Sequence, residues 1–280
     1  MICINGIGTR QNLSALITDS ITNLDSIEKA QCFPLYFYEE NNHSNFTLFD
    51  EKSETKFSQR DGVSNFILER ATKIYGKNVT KEDIFYFVYG ILYSKDYRST
   101  FSNDFKKMLP RIPLVDEPRE FWKFSKAGRA LADLHIKYEK VPPYEGVEIN
   151  QLQKNNSIDD YEYYRVQKLK FPKKDQKDKI IYNSRIIIKN IPEKAYDYIV
   201  NGKSAIEWIL DRYQVKIDKK SGIKNDPNDW SKEVNNPKYI LDLLLSVINV
   251  SVQTVDIVEG MPELKFEEEV ESLTETLNSN

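Results

Sequence analysis

The apolar periodicity of the sequence changes at the pair Pro142-Pro143, and this change limits the folds open to the chain. Before the pair, apolar residues recur every three to four positions, which is typical of helices packed on a core. The helices predicted there cover residues 65–75, 84–93, 96–108 and 119–138. After the pair, alternating and β-branched residues predict strands at 161–171 and 180–189, joined by a turn at 173–179. The pattern predicts a helix-rich α+β fold, with a helical, bundle-like part and a small β-sheet or hairpin in the C-terminal half.

The same signals divide the chain into four predicted segments. Residues 1–60 are a mixed α/β segment with strands at 2–4 and 32–38 and a polar loop at 39–60. Because the first strand begins with no lead-in, we expect this segment to continue from a missing upstream region. Residues 61–141 form the helical part, and 142–262 form a β-hairpin plus helices. Residues 263–280 are an acidic tail predicted to be disordered.

The most apolar part of the sequence lies near its C-terminal end. Asn236 is a candidate helix cap with Pro237 at the first helical position, and residues 239–258 are apolar on nearly every face. Polar residues interrupt this stretch, so we expect a buried helix and no membrane span. Shorter helices are predicted at 192–200 and 204–213, with a basic loop at 216–229. The start lacks the pattern of a signal peptide, and two cysteines fit a reducing cytoplasm.

The charge of the chain is unevenly distributed. The net charge is −3, but residues 259–280 contain seven acidic residues and one lysine. Residues 161–189 contain nine basic and three acidic residues, a local charge of +6. A local basic surface favours a polyanionic partner more than the total charge opposes one. An ordinary solvated face explains the composition equally well.

The sequence contains near-matches to catalytic motifs, and each lacks a necessary residue. Gly202-Lys203-Ser204 resembles the end of a phosphate-binding loop, but Asp197 occupies the position of its first glycine. The tetrapeptide at 141–144 resembles an amino-methyltransferase motif, but it begins with Val141 where an amide or carboxylate is required. With two histidines in the chain, a zinc site is not expected, and His135 is interpreted as a packed structural residue. We predict no catalytic residue, no metal and no cofactor.

Three basic segments could contact nucleic acid. Each could also be solvated surface. A mixture of lysine and amide side chains suits both phosphate contact and the reading of base edges. The candidate DNA-binding residues are Lys123, Lys126 and Arg129 on the long helix, Lys173 and Lys174 at the turn, and Lys216, Lys219, Lys220, Lys224 and Asn225 in the basic loop.

Several longer segments have a distinctive sequence. They are 6–8 (GIG), 14–19 (SALITD), 31–36 (QCFPLY), 83–92 (DIFYFVYGIL), 109–113 (LPRIP), 124–129 (FSKAGR), 131–135 (LADLH), 201–208 (NGKSAIEW), 211–215 (DRYQV) and 225–230 (NDPNDW). Together they resemble the C-terminal specificity region, or target recognition domain, of type ISP restriction-modification enzymes, which are often labelled predicted helicases. The resemblance spans residues 1–262.

The resemblance implies a role for the chain. In this family a nuclease, a helicase motor and an adenine methyltransferase precede the target recognition domain. It implies that this chain is mainly the last part, cytoplasmic, binding duplex DNA beside the upstream methyltransferase and helicase domains. The alternative function is that of a structural module that docks on those domains without reading DNA. A third interpretation is that the chain is a degenerate enzyme. A basic cleft of duplex width would favour recognition, whereas exposed apolar faces without such a cleft would favour docking.

Overall fold

The computed structural model describes residues 1–23, 26–40, 57–154 and 157–266. Helices and several small antiparallel sheets alternate along these residues, so the predicted helix-rich α+β class is confirmed. Residues 267–280 of the predicted acidic tail lie outside the described residues, as do 41–56 of the predicted polar loop.

A three-stranded sheet opens the chain. It consists of β1 (Ile2–Ile4), β2 (Ala15–Ile17) and β3 (Gln31–Phe33), with β1 in the centre and both pairings antiparallel. A separate hairpin pairs β4 (Tyr36–Glu40) with β5 (Phe57–Asp61). The single strand predicted at 32–38 is therefore wrong. Pro34 has no N–H to donate, and the chain passes from one sheet to another there.

Four helices follow: α1 (Asn65–Tyr75), α2 (Lys81–Tyr93), α3 (Lys95–Thr100) and α4 (Pro118–Ile136). Ser64 caps α1 as predicted, its side chain accepting from the N–H of Ile67 at 3.4 Å. The prediction of one helix over 96–108 is wrong, because α3 ends at Thr100 and a short 3-10 turn follows at Asp104–Lys106. The intervening Ser102 and Asn103 are weak helix formers that compete for backbone hydrogen bonds. The prediction for 119–138 overshoots α4 by two residues.

The C-terminal half begins with β6 (Glu148–Gln151) and α5 (Asp160–Tyr163), followed by β7 (Ile180–Ile181) and β8 (Ile186–Lys189). β8 lies between β6 and β7 in an antiparallel sheet. The strand predicted at 161–171 is wrong. Asp159 caps a short helix there, and Lys170 alone pairs with Ile181 in an isolated bridge.

Two small hairpins come next: β9 (Ile199–Val200) with β10 (Lys203–Ser204), and β11 (Lys216–Ile217) with β12 (Lys224–Asn225). They flank α6 (Ala205–Arg212). The helix predicted at 192–200 is wrong, because the structure has only a 3-10 turn at Glu193–Tyr196 before β9. Asn201 and Gly202, at φ 47° and 83°, form a two-residue hairpin turn that requires extended chain before it. The loop predicted at 216–229 contains β11 and β12 instead.

The last helices among the described residues are α7 (Asn228–Glu233) and α8 (Tyr239–Glu259). Asn236 does not cap α8, which begins three residues later. Its side-chain oxygen accepts from the N–H of Lys238 at 2.9 Å and stabilises the turn before the helix.

Buried side chains form two cores that meet at α8. The first core contains buried residues of β1, β2 and α1–α4 together with Val250 and Val255. The second core contains those of α5, β7, β8 and α6 together with residues between Ile240 and Ile248. By length and composition α8 could cross a bilayer, but 72% of its most apolar stretch is buried inside the protein. The predicted buried helix is therefore confirmed.

Candidate nucleic-acid interface

A basic groove of about 490 Å³ opens on the side of the second core. Four cations and one carboxylate contribute to its wall, so the wall carries a net positive charge. The residues that line it are Glu162, Arg165, Gln167, Lys168, Lys170, Ile181, Asn183, Ser184 and Arg185.

The chain on one side of the groove alternates between buried and exposed positions. Val166 and Leu169 are buried in the second core, and this directs Lys168 and Lys170 to solvent. Lys170 and Ile181 pair antiparallel through hydrogen bonds of 3.2 and 2.8 Å, which fixes this segment against β7.

Asn183 fixes the other side of the groove. Its side-chain amide donates to the carbonyls of Tyr163 at 3.0 Å and Arg165 at 3.1 Å. Its oxygen accepts from the N–H groups of Arg185 at 2.8 Å and Ile186 at 2.9 Å. One side chain therefore sets the distance between the backbone that carries Arg165 and the backbone that carries Arg185.

The β11–β12 hairpin continues from the same groove. The N–H of Val215 donates to the carbonyl of Gln167 at 3.0 Å, and Lys168 pairs with Gln214 in a bridge. Lys216 is paired with Asn225, and Ile217 with Lys224. All residues from 216 to 225 are exposed, so the hairpin projects from the protein as a two-stranded ribbon.

A buried carboxylate anchors the base of this ribbon. Asp226 forms ion pairs with Arg165 and, at 2.9 Å, with Lys224, and it accepts from the side chain of Asn228 at 2.6 Å. Burial raises the pKa of Asp226, but the donors outweigh burial and hold that pKa well below its usual range. Asn228 also accepts from the N–H of Val166 and donates to its carbonyl, both at 2.8 Å. Arg165 thus joins the groove to the ribbon.

The ribbon is also closed firmly at its tip. One carboxylate oxygen of Asp218 accepts from the N–H of Lys220 at 3.0 Å and from the N–H of Ser221 at 2.7 Å. Gly222 follows with φ 71°, a left-handed conformation that suits glycine. The tip of the ribbon is therefore closed by local hydrogen bonds and a glycine turn, without packing on a core.

The structure brings five of the ten candidate residues together on the ribbon: Lys216, Lys219, Lys220, Lys224 and Asn225. Lys216 donates to the carbonyl of Asp211 at 3.1 Å, and Lys224 is held by Asp226. Within the described part of the chain, Lys219 and Lys220 lie beyond ion-pair distance of any carboxylate. Two cations at the tip are therefore available to phosphates.

The other candidates lie apart from the ribbon. Lys173 and Lys174 are exposed in the turn that leads from the groove to β7. Lys123 and Lys126 are exposed on α4, which belongs to the first core. Arg129 pairs with Glu82 at 3.5 Å and Asp83 at 3.3 Å, and its guanidinium lies 4.2 Å from the ring centre of Tyr86. Its charge is used in joining α4 to α2.

Sequence reasoning did not name Arg165, Lys168, Lys170 or Arg185 as site residues. The local charge of +6 over 161–189 was the available signal. The bridge between Lys170 and Ile181 determines which of those nine cations lie on the same side of the protein. The predicted strand over 161–171 did not include this bridge, so it could not show which cations line the groove.

The near-matches to catalytic motifs have structural roles here. Lys203 pairs with Asp211, and Ser204 caps α6 with an oxygen that accepts from the N–H of Glu207 at 3.2 Å. The side chain of Ser246 donates to the carbonyl of Val141 at 2.5 Å, which ties the 141–144 segment to α8. Among the described residues, no group of three or more His, Cys, Asp or Glu side chains could hold a metal ion.

The chain is similar to solved structures of restriction-modification enzymes over nearly its whole length. It aligns with an ATP-dependent type ISP restriction-modification enzyme, LlaBIII, bound to DNA, with a TM-score of 0.78 and 40% identity, covering 95% of this chain and 16% of that one. A nuclease-deletion mutant of the type ISP enzyme LlaGI, in complex with a DNA substrate mimic, aligns with a TM-score of 0.73 and 42% identity, covering 95% of this chain and 21% of that one. A cryo-EM structure of a DrdV–DNA complex aligns with a TM-score of 0.73 and 27% identity, covering 95% of this chain and 25% of that one.

The matched proteins are much longer than this chain, which spans between 16% and 25% of their lengths. No curated protein matches it. The family model for the type ISP C-terminal specificity domain matches residues 1–243, in agreement with the resemblance carried by the sequence segments. The chain belongs to the family of type ISP C-terminal specificity domains.

Proposed function

We propose that this chain is a DNA target recognition domain of a single-chain type ISP restriction-modification enzyme. The observation that carries the proposal is the basic groove continued by the β11–β12 ribbon, two surfaces joined through Arg165. The DNA complexes of the similar structures support it.

The two surfaces have different tasks in this proposal. Lys168, Lys170 and Arg185 contact phosphates and hold the domain in place on the duplex, which adds affinity without reading sequence. The ribbon enters the major groove, whose width of about 12 Å accommodates two strands. Asn225, whose amide both donates and accepts, reads a base edge there.

The parent enzyme supplies the chemistry in this proposal. The upstream methyltransferase turns the target adenine out of the duplex while the specificity domain holds the flanking bases, and a helicase motor and nuclease act on the same DNA. The chain itself contributes binding and no catalytic residue, in the cytoplasm where the DNA lies.

A titration of fluorescently labelled random-sequence duplex, followed by anisotropy at two salt concentrations, tests the proposal. We expect a dissociation constant of roughly 10⁻⁴ to 10⁻⁶ M that rises steeply with salt. Lys168→Ala with Lys170→Ala should reduce the slope of log affinity against log salt by about one for each lysine that touches a phosphate. Lys77→Ala is the matched control, since Lys77 is an exposed lysine on the side of the first core.

The ribbon is tested by a second pair of variants. Lys220→Ala should weaken binding to all sequences alike, whereas Asn225→Ala should cost about 1–3 kcal/mol on a cognate duplex and little on random DNA. Binding by the wild type that does not depend on salt, or an equal effect of Lys77→Ala and the groove variants, would contradict the proposal.

A docking function is favoured by a separate observation. The β4–β5 hairpin exposes aromatic side chains, with Tyr38 65% exposed, and Phe66 of α1 is 66% exposed. Aromatic side chains are enriched at protein–protein interfaces, so these exposed rings suit contact with the parent's other domains. If the chain binds the isolated methyltransferase but no DNA, docking replaces recognition as its function.

A further inference from the structure

The ribbon carries two isoleucines that the core does not use. Ile217 is 63% exposed and Ile223 is 69% exposed. Because paired residues share a face, Ile217 lies on the face of Lys224. The N–H of Asp218 donates to the carbonyl of Ile223 at 2.9 Å, which places Ile223 on the opposite face, with Lys216 and Asn225. Each face of the ribbon therefore presents one isoleucine beside a lysine.

Neither isoleucine has a task in stabilising the ribbon. Its base is held by Asp226 and its tip by Asp218, both through polar contacts. Both isoleucines are absent from the two cores. Branched apolar side chains that lie in water on both faces of a firmly held ribbon gain free energy only when another surface covers them.

The charge around the isoleucines identifies that surface. Residues 216–225 contain four lysines and one aspartate, whose carboxylate is already bonded within the tip. A covering protein surface would have to accommodate these lysines without phosphates. A two-stranded ribbon fits the major groove and is too wide for the minor groove, which is about 6 Å across. The apolar group that the base edges present in the major groove is the 5-methyl of thymine.

We propose that Ile217 and Ile223 are specificity-determining residues that recognise thymine through its 5-methyl group in the major groove. This inference rests on the proposed function and adds the class of base that the ribbon reads. The lysines keep the ribbon between the phosphate backbones, and the isoleucines exchange contact with water for contact with methyl groups. Thymine is favoured because cytosine has a hydrogen atom in place of the 5-methyl group.

Selection from a duplex pool with a randomised centre, using the 280-residue chain, is the first step of the test. The wild type should enrich thymine at one position or more. The variants Ile217→Ala and Ile223→Ala should each lose enrichment at one such position and still bind the unselected pool within about twofold, since phosphate contacts supply that affinity. Ile21→Ala, at a residue 96% exposed near β2, is the control and should keep the wild-type preference.

The second step replaces each enriched thymine by deoxyuridine, which removes the methyl group alone. The wild type should lose roughly fourfold in affinity for each methyl that is read, the equivalent of one buried carbon. The variant that lacks the matching isoleucine should bind both duplexes equally. Unchanged melting temperatures for both variants would exclude a loss of folding.

The outcomes separate this inference from the proposed function. If the wild type binds DNA but enriches no thymine, or if the alanine variants keep the sensitivity to deoxyuridine, the isoleucines do not read thymine and the proposed function stands. If the wild type binds no duplex at low salt, both are overturned.

Discussion

At the scale of single residues, His135 shows what a buried histidine does without a catalytic partner. Its Nδ1 lies 2.7 Å from the hydroxyl of Tyr89 and its Nε2 lies 2.9 Å from Oγ1 of Thr254, and the ring stacks on Tyr198. Burial, with a smaller contribution from Arg98, lowers the pKa of His135 to about 3. The ring is therefore neutral near pH 7 and joins α2, α4 and α8.

A protonation that the folded state excludes makes stability depend on pH. The unfolded chain binds a proton at His135 below a pKa of about 6.5, while the folded chain stays neutral down to about 3, so stability falls as the pH falls through this window. Between pH 7.5 and 5.0 the wild type should lose about 2 kcal/mol of unfolding free energy to this residue. Urea denaturation at the two pH values measures the loss.

The comparison is with His135→Gln. This variant is less stable at pH 7.5 but should lack that part of the pH dependence. Equal losses in the two proteins would show that the folded state accommodates the imidazolium.

At the scale of elements, the backbones of α2 and α4 approach each other closely where the two helices cross. A Cβ on Gly128 would lie 1.8 Å from the carbonyl oxygen of Tyr86, and one on Gly90 would lie 2.4 Å from that of Phe124. Both obstacles are backbone atoms, which cannot move without moving a helix. The two glycines therefore set the distance between the helices and bring Arg129 within reach of Glu82 and Asp83.

Gly128→Ala should destabilise the protein by about 1–3 kcal/mol, even though alanine is the better helix former, because the methyl group separates two packed helices. Thermal or urea unfolding measures the change. Gly260→Ala provides the control, since a Cβ there meets nothing closer than 3.5 Å and φ is −82°. A Gly128→Ala protein as stable as this control would show that the helices part at little cost.

Elements with a strong local signal were predictable, and those formed by pairing at a distance were not. Ser64 and Gly76 bound α1 at the predicted residues because a cap acts within one turn. The chain at 161–171 has the composition of a strand, but its partner β7 accepts it only at Lys170. The positions of Lys168 and Lys170 in the groove depend on that bridge, so the groove could not be predicted.

At the scale of the molecule, α8 contributes buried residues to both cores. Leu244 is fully buried in the second core, while Val250 and Val255 of the same helix lie in the first. The long apolar stretch predicted this helix and its burial. The sequence did not show that residues of this helix are shared between two cores, since that depends on where each apolar face meets its neighbours.

Leu244→Asp should unfold both cores together. The substitution places an unpaired charge in the second core, and the common helix transmits the loss to the first. Near-ultraviolet circular dichroism reports the packing of aromatic side chains and should lose its signal, while Ile21→Asp, at an exposed position, should keep it. A variant that loses helix α6 but retains the packed α2–α4 pair would show that the cores are independent.

The shared helix also has a consequence for synthesis on the ribosome. The first core has most of its residues once α4 has emerged, but Val250 and Val255 follow more than a hundred residues later. At about 5–20 residues per second, this interval lasts roughly 6–24 s. During that time the nascent chain exposes the apolar faces that α8 will later cover, so this part of the protein depends on α8 to become complete.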